Sequence, residues 1–206
     1  SVPAVDQEDD DTARARLIAA LAGPTENANK AQLMAWCEEI SGVGHARIVS
    51  LWDGYNTAKG VIISTAGGVP SASVISAVQA AIDPGAAGLG EGLATIGLKF
   101  TAAAATALQI NVTVSITLSS GSTLAAVETA IQTAIQSYLA GLALDRNTDT
   151  PTVRKSRIGS IISSIDGVDD YAGLDLNGGE ATVTCTSLQI PVLGTLTVTE
   201  TDDEEE

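Results

Sequence analysis

Apolar residues recur at helical spacing in five stretches of the chain. In residues 12–23, TARARLIAALAG, the residues Leu17, Ile18 and Leu21 follow the acids Asp9, Asp10 and Asp11 and stop at Gly23-Pro24. Acidic side chains favour a helix start, so a first helix is predicted there. A second helix is expected after a cap at Asn27 or Asn29, because Leu33, Trp36, Cys37 and Ile40 fall at i, i+3, i+4 and i+7. Gly42 ends it as a left-handed C-terminal residue would. A third, entered near Pro70, turns Val74, Val78, Ala81 and Ile82 inward. A long fourth runs from about Thr123 to Leu142 on Leu124, Val127, Ile131, Ile135, Tyr138 and Leu142. The fifth carries Ile158, Ile161, Ile162 and Ile165 and closes on Gly167.

Strand signals lie between these helices. Residues 46–52, ARIVSLW, and 59–65, KGVIIST, flank a turn at Asp53-Gly54 and predict a hairpin. Ile110, Val112, Val114, Ile116 and Leu118 alternate with Asn111, Thr113, Ser115 and Thr117, which predicts a strand with one wet face. An Ala-rich break is expected just before it. Short strands are expected around residues 171–176, 181–186 and 194–199, with Asn177-Gly178 as a hairpin turn between two of them. Residues 84–94, PGAAGLGEGLA, carry four glycines and a proline and predict a loop.

One phrase occurs twice. A helix ends in Ile-x-Gly-Val at Ile40, Gly42 and Val43, and again at Ile165, Gly167 and Val168. Each time a hairpin is expected to follow. A helix laid on an antiparallel sheet buries both apolar faces. The expected fold class is therefore α+β, with two tandem small domains whose helices pack on a mainly antiparallel sheet. The boundary is placed near residue 105. Residues 1–105 form helix-helix-hairpin-helix-strand, and residues 106–206 form strand-helix-helix-strands with an acidic tail.

Composition changes this picture in two ways. Aromatic residues make up only 3% of the 206, so the cores must be built from Ala, Val, Ile and Leu, which suits thin elements better than a deep pocket. The net charge of −15 is concentrated: residues 6–11 hold five acids and residues 200–206 hold six. Setting those eleven aside leaves 14 acids against 10 bases, a net of −4. No basic stripe is present to displace counterions, and the cluster RKSR at residues 154–157 is too small to act as one, so no nucleic-acid partner is expected. No apolar run approaches the roughly 18 residues needed to span a bilayer, no signal peptide is visible, and no membrane partner is expected. The chain starts at Ser1 without Met, which is read as a processed product or fragment of a soluble, cytosol-made protein.

Candidate chemistry is sparse. The single histidine, His45, follows the helix stop and is expected at the surface or in a cap. A hydrolase would have to rest on it, but no G-x-S-x-G elbow presents a serine. Cys37 and Cys185 sit in apolar elements as expected buried thiols, with a disulfide left open. They have no nearby ligand partner, so zinc is not expected. Asp175 to Gly178 departs from the calcium-loop pattern and reads as turn chemistry. The glycines at 88, 90, 92 and 97 lack nucleotide-loop spacing. No enzyme activity and no cofactor is expected. What remains is surface. Trp52 and Tyr55, beside the hairpin turn, are the interface candidates, because Trp and Tyr anchor interfaces. The alternating strand over residues 110–118 is a second candidate, as a free sheet edge open to another chain.

The order of these segments resembles a known family. An acidic run before ARARLIAAL leads to PTENANKAQLMAWCEEISGVGHARIVSLWDG, then VPSASVISAVQAAID. INVTVSITLSSGSTLAAVETAIQTAIQSYLAGL follows, then RIGSIISSIDGVDDYAGLDLNGG and LGTLTVTE. This series, from about residue 6 to 200, is similar to the C-terminal portion of the baseplate J-like family of contractile phage tails. Members usually carry a further region ahead of the acidic run. The resemblance implies a wedge subunit, present in multiple copies around the tail axis, that links hub proteins to peripheral components and tail fibre proteins. It implies a place in the virion tail after assembly in the bacterial host cytoplasm, and it brings no catalytic or cofactor residues. The Gly-rich stretch over residues 83–100 is expected to be a crossing between the domains that lets contacts change. A surface adhesion or ligand-binding module is the alternative.

Overall fold

The structure is a computed structural model that describes residues 29–179 and 181–201, together with Asp10 and Arg14. The helix expected over residues 12–23 and most of both acidic runs lie outside the described residues. The elements are α1 (Lys30–Glu38), β1 (Val43–Ser50), β2 (Thr57–Ser64), α2 (Ala72–Ile82), a 3-10 turn (Pro84–Ala86) and β3 (Lys99–Ala104). They continue with β4 (Thr106–Leu118), α3 (Leu124–Ala143), β5 (Thr152–Arg154), α4 (Lys155–Ile162), β6 (Val168–Leu176), β7 (Thr182–Thr184) and β8 (Gln189–Glu200). They form sheets of order β1-β2-β3, β6-β4-β8 and β5-β7. Helices thus pack on sheets in two successive α+β halves. In each three-stranded sheet one pairing is antiparallel (β1–β2, β4–β6) and one is parallel (β2–β3, β4–β8).

The repeated phrase has one local geometry. Gly42 and Gly167 adopt φ of 93° and 97°, the left-handed region that a side chain would strain. In each exit the valine N–H donates to the isoleucine carbonyl, Val43 to Ile40 at 3.1 Å and Val168 to Ile165 at 3.2 Å. At α1 the Asn29 side chain accepts from the Gln32 N–H at 2.9 Å, which settles the cap. The strands beyond the two exits differ. β1 turns into a hairpin with β2, but β6 pairs back onto β4. The hairpin expected at Asn177-Gly178 does not form either. Both residues take positive φ, 46° and 87°, yet Asn177 extends the β4 ladder by exchanging bonds with Asn111, and three-residue β7 pairs with β5. Turn chemistry is local, whereas strand choice is made by whichever edge is free.

The second half is built around β4. Ile110, Val112, Val114 and Ile116 are fully buried against Val127, Ile131, Ile135 and Leu139 of α3 and Ile158 and Ile162 of α4. Each such side chain contributes roughly 1.5–3 kcal/mol on burial. β4 is the centre of its sheet, with β6 on one edge and β8 on the other, so it is not the free edge that its wet face suggested. A polar face tells which side meets water; it is silent on how many neighbours pair. The expected Ala-rich break is also absent as such. Ala102 to Ala104 belong to β3, and only Ala105 separates β3 from β4.

In the first half, Leu33 and Cys37 of α1 and Val78 and Ile82 of α2 pack with Ile62, Phe100, Ala46 and Ile48. A Cβ on Gly60 would collide with the Phe100 ring, so the glycine makes room for the one phenylalanine. The Cys37 thiol is wholly buried, and burial pushes it up to about 12, with neighbouring Glu38 acting in the same direction. Both cysteines are free.

The Gly-rich segment is not a crossing between the halves. It joins α2 to β3 within the first half, and buried side chains tie it down. The Asp83 carboxylate accepts from Gly88 N–H at 3.1 Å and from Phe100 N–H at 2.9 Å. Gln79 covers the next stretch of the β3 edge, donating to the Phe100 carbonyl at 2.9 Å and accepting from Ala102 N–H at 2.8 Å. Gln79 of α2 and Asp83 just beyond its end thus take the bonds that a further strand would make.

Three outcomes follow. Ile131→Ala is expected to lower unfolding free energy by about 2–5 kcal/mol in a denaturant titration, because the cavity sits where α3 meets β4. Asp83→Ala leaves buried N–H groups without acceptors and should cost about 1–3 kcal/mol. Its hydrogen exchange should rise at Gly88 and Phe100 and stay unchanged in β4. The raised Cys37 pKa makes the folded state hold its proton longer than the unfolded chain. Its stabilisation is therefore complete below the ordinary value of 9.0 and is lost as pH climbs toward about 12. Cys37→Ala should flatten that decline in pH-dependent melting.

Candidate docking surface

The β1–β2 hairpin ends in a constrained tip. Leu51, Gly54 and Asn56 all take positive φ, at 56°, 93° and 58°. The conformation is held by Thr57, whose hydroxyl donates to the Gly54 carbonyl at 2.7 Å and accepts from Asp53 N–H at 3.1 Å. A third bond runs from Leu51 N–H to the Thr57 carbonyl at 2.8 Å. A leucine in the left-handed region costs on the order of 1–3 kcal/mol, so the tip is stiff by over-determination. Tyr55 is 94% exposed, and Leu51 on the same tip is exposed as well. Trp52 is 39% exposed, with the Lys59 ammonium 3.7 Å from its ring centroid. A cation over the ring face holds the indole in place while leaving its rim open.

The Gly-rich segment comes to the same end of the sheet. Lys99, which opens β3, donates its N–H to the Asn56 carbonyl at 2.8 Å, and Thr57 and Lys99 are register partners. Backbone bonds from Leu93 to Ala81, from Ala94 to Ile82 and from Gly97 to Gly88 knit the excursion. It displays Leu89, Leu93 and Ile96, the last 84% exposed. Six of the eight large apolar side chains exposed among the described residues therefore lie on these two loops at one end of the first half. Trp52 and Tyr55 were legible as candidates from residue type and a turn. Leu89, Leu93 and Ile96 were missed. Their signal was an apolar residue next to a glycine in a segment with no period, where no core face exists to receive it.

The groups with chemical potential are used internally. His45 is buried rather than at the surface, and its Nδ1 lies 2.8 Å from Glu38 Oε1. Glu38 Oε2 is 2.6 Å from Arg146 Nη2, so the three close α1 onto β1 and onto the loop after α3. Asp175 lies within β6, opposite Thr113, rather than on the expected turn, and its carboxylate is 3.5 Å from Lys155 Nζ. Burial raises the Cys185 thiol, against the opposing pull of Arg47. Among the described residues, no group of three or more His, Cys, Asp or Glu is placed to hold a metal ion. No helix among them is long and apolar enough to cross a membrane.

Comparison with known proteins bears on what such a surface could serve. Residues 25–104 match the baseplate J-like central domain, and residues 110–199 match the baseplate J-like protein C-terminal domain. Two proteins of Bacillus subtilis (strain 168) are similar over 200 residues, covering 97% of this chain and 56% of each relative. They are the uncharacterized protein YqbT, 30% identical, and the phage-like element PBSX protein XkdT, 28% identical. The chain thus spans about half the length of the curated relatives it matches. A chain in the cryo-EM structure of the anti-feeding prophage baseplate shares the fold, with a TM-score of 0.60 and 12% identity. The match covers 92% of this chain and 42% of that one. The two matched domains follow one another in order along nearly all of the described chain, and the chain belongs to the baseplate J-like family.

Proposed function

We propose that this chain is a non-enzymatic structural part of a contractile-tail baseplate, working through its outer faces. The observation that carries this is the ordered pair of baseplate J-like central and C-terminal domains over residues 25–199. The relative from a phage-like element and the fold shared with a prophage baseplate chain support it. In this reading the chain is a wedge component, repeated around the tail axis, between hub proteins and peripheral or tail fibre proteins. It resides in the virion tail and is put together in the host cytoplasm. Its units are residues 1–105 and 106–206, meeting at Ala105.

Within that role, the end of the first half is the docking surface. Trp52 and Tyr55 anchor it, with Leu51, Leu89, Leu93 and Ile96 around them. Large apolar groups gathered at one end and held on stiff loops lose little entropy on binding. Among the described residues, most of the other large apolar side chains go to internal cores, Val69 and Leu188 excepted.

The test is particle composition. The chain is expected in purified tail particles from induced cells, and its absence from them would overturn the baseplate reading. Tyr55→Ser combined with Ile96→Ser should melt within about 1 kcal/mol of the parent, since both side chains are exposed. The double variant should nevertheless be depleted from particles. Normal incorporation of a folded double variant would remove this end from the interface.

A further inference from the structure

The passage between the halves has no linker. Ala105 is buried and donates its N–H to the Ile62 carbonyl of β2 at 3.0 Å. The next residue, Thr106, donates to the Leu188 carbonyl at 2.9 Å and starts the β4–β8 ladder. Adjacent residues are thus committed to different sheets. Around them a third apolar cluster joins Val61 and Ile63 of β2 to Ala143 of α3 and Ile190 of β8. The backbones approach closely, since a Cβ on Gly67 would lie 2.6 Å from Ala140 Cα.

Arg47 crosses this joint. It stands on β1 in the first half, is 1% exposed, and reaches two carbonyls of the second half. Nη1 donates to Gln189 at the start of β8, at 2.8 Å, and Nη2 donates to Ala143, the last residue of α3, at 3.1 Å. The Ala143 carbonyl is at the negative end of the α3 dipole. Two ion pairs close the rim, Glu38 with Arg146 and Lys30 with Asp149 at 2.9 Å.

We infer that the two halves form one rigid lever, and that Arg47 is the pin that sets the angle between them. A planar guanidinium with two donors on two separate elements satisfies both carbonyls over a narrow range of orientation. Its burial is costly, so it specifies geometry more than it adds stability. Hinging at residue 105 would strain the end bonds of Ala105 and Thr106, open the apolar cluster and release both guanidinium bonds together. A baseplate component built this way passes displacement from one face to another rather than absorbing it. The inference concerns the isolated chain and stands or falls apart from the tail-particle test.

The experiment places spin labels at Ser76→Cys on α2 and Gln132→Cys on α3, both exposed, in a background where the buried native Cys37 and Cys185 are replaced by Ala. The parent chain should give a single narrow distance distribution. Arg47→Ala and Arg47→Met should lose that single peak while hydrogen exchange within β2 and β4 stays protected. Arg47→Lys, which keeps the charge without the fork, should recover it only in part. A broad or double distribution in the parent would overturn the rigid lever. An unchanged narrow peak in the Ala and Met variants would overturn the role of Arg47. A variant that unfolds altogether also counts against the pin, because each half has a core of its own.

Discussion

Over residues 60–63, β2 is buried on both faces, and much of the molecule is arranged around that fact. Ala58 and Ile62 turn toward α1 and α2, while Val61 and Ile63 turn toward α3 and β8. A strand whose centre has no wet face cannot be shifted by one residue without exchanging two sets of apolar side chains between two different cores. Its two edges are also committed, to β1 on one side and β3 on the other. The first half is therefore held in register by the second. A chain that passes from one sheet to the next through a single buried alanine follows from the same constraint.

The scarcity of aromatic residues shapes what the protein offers to others. Aliphatic side chains fill both cores, and the one phenylalanine is accommodated by a glycine on the neighbouring strand. Trp52 and Tyr55 are spent on the outside instead. The loops carrying the exposed apolar groups are not slack: Thr57 braces one, and Asp83 with Gln79 braces the other. Rigid display of a few apolar groups suits a part that works by fitting neighbours. The family membership and the internal use of His45, Glu38 and both cysteines are in keeping with that role.

Local features were legible in the sequence wherever the physics was local. The Asn29 cap, the two glycine exits, the wet and dry faces of β4 and the inward rows of α3 and α4 all follow from side chains a few residues apart. Their energies are set by helical and strand periods and by the left-handed φ that glycine tolerates. The candidate surface was half legible, because Trp52 and Tyr55 are conspicuous by type, whereas Leu89, Leu93 and Ile96 only become a surface once a fold denies them a core.

Partnership between distant segments was decided by tertiary structure. Whether β6 pairs with β7 or with β4, and whether β4 has one neighbour or two, depends on which edges the rest of the chain leaves free. The sequence of the Gly-rich segment could not show that Asp83 and Gln79 would tie it to the β3 edge. Nothing around Arg47 announces that it will meet carbonyls 96 and 142 residues further on. By itself the sequence determined most of the described elements, their faces and the family to which they belong, though not β5 or the alanine end of β3. The register between elements and the angle between halves came from long-range burial, because that is where free energy depends on residues the chain order keeps apart.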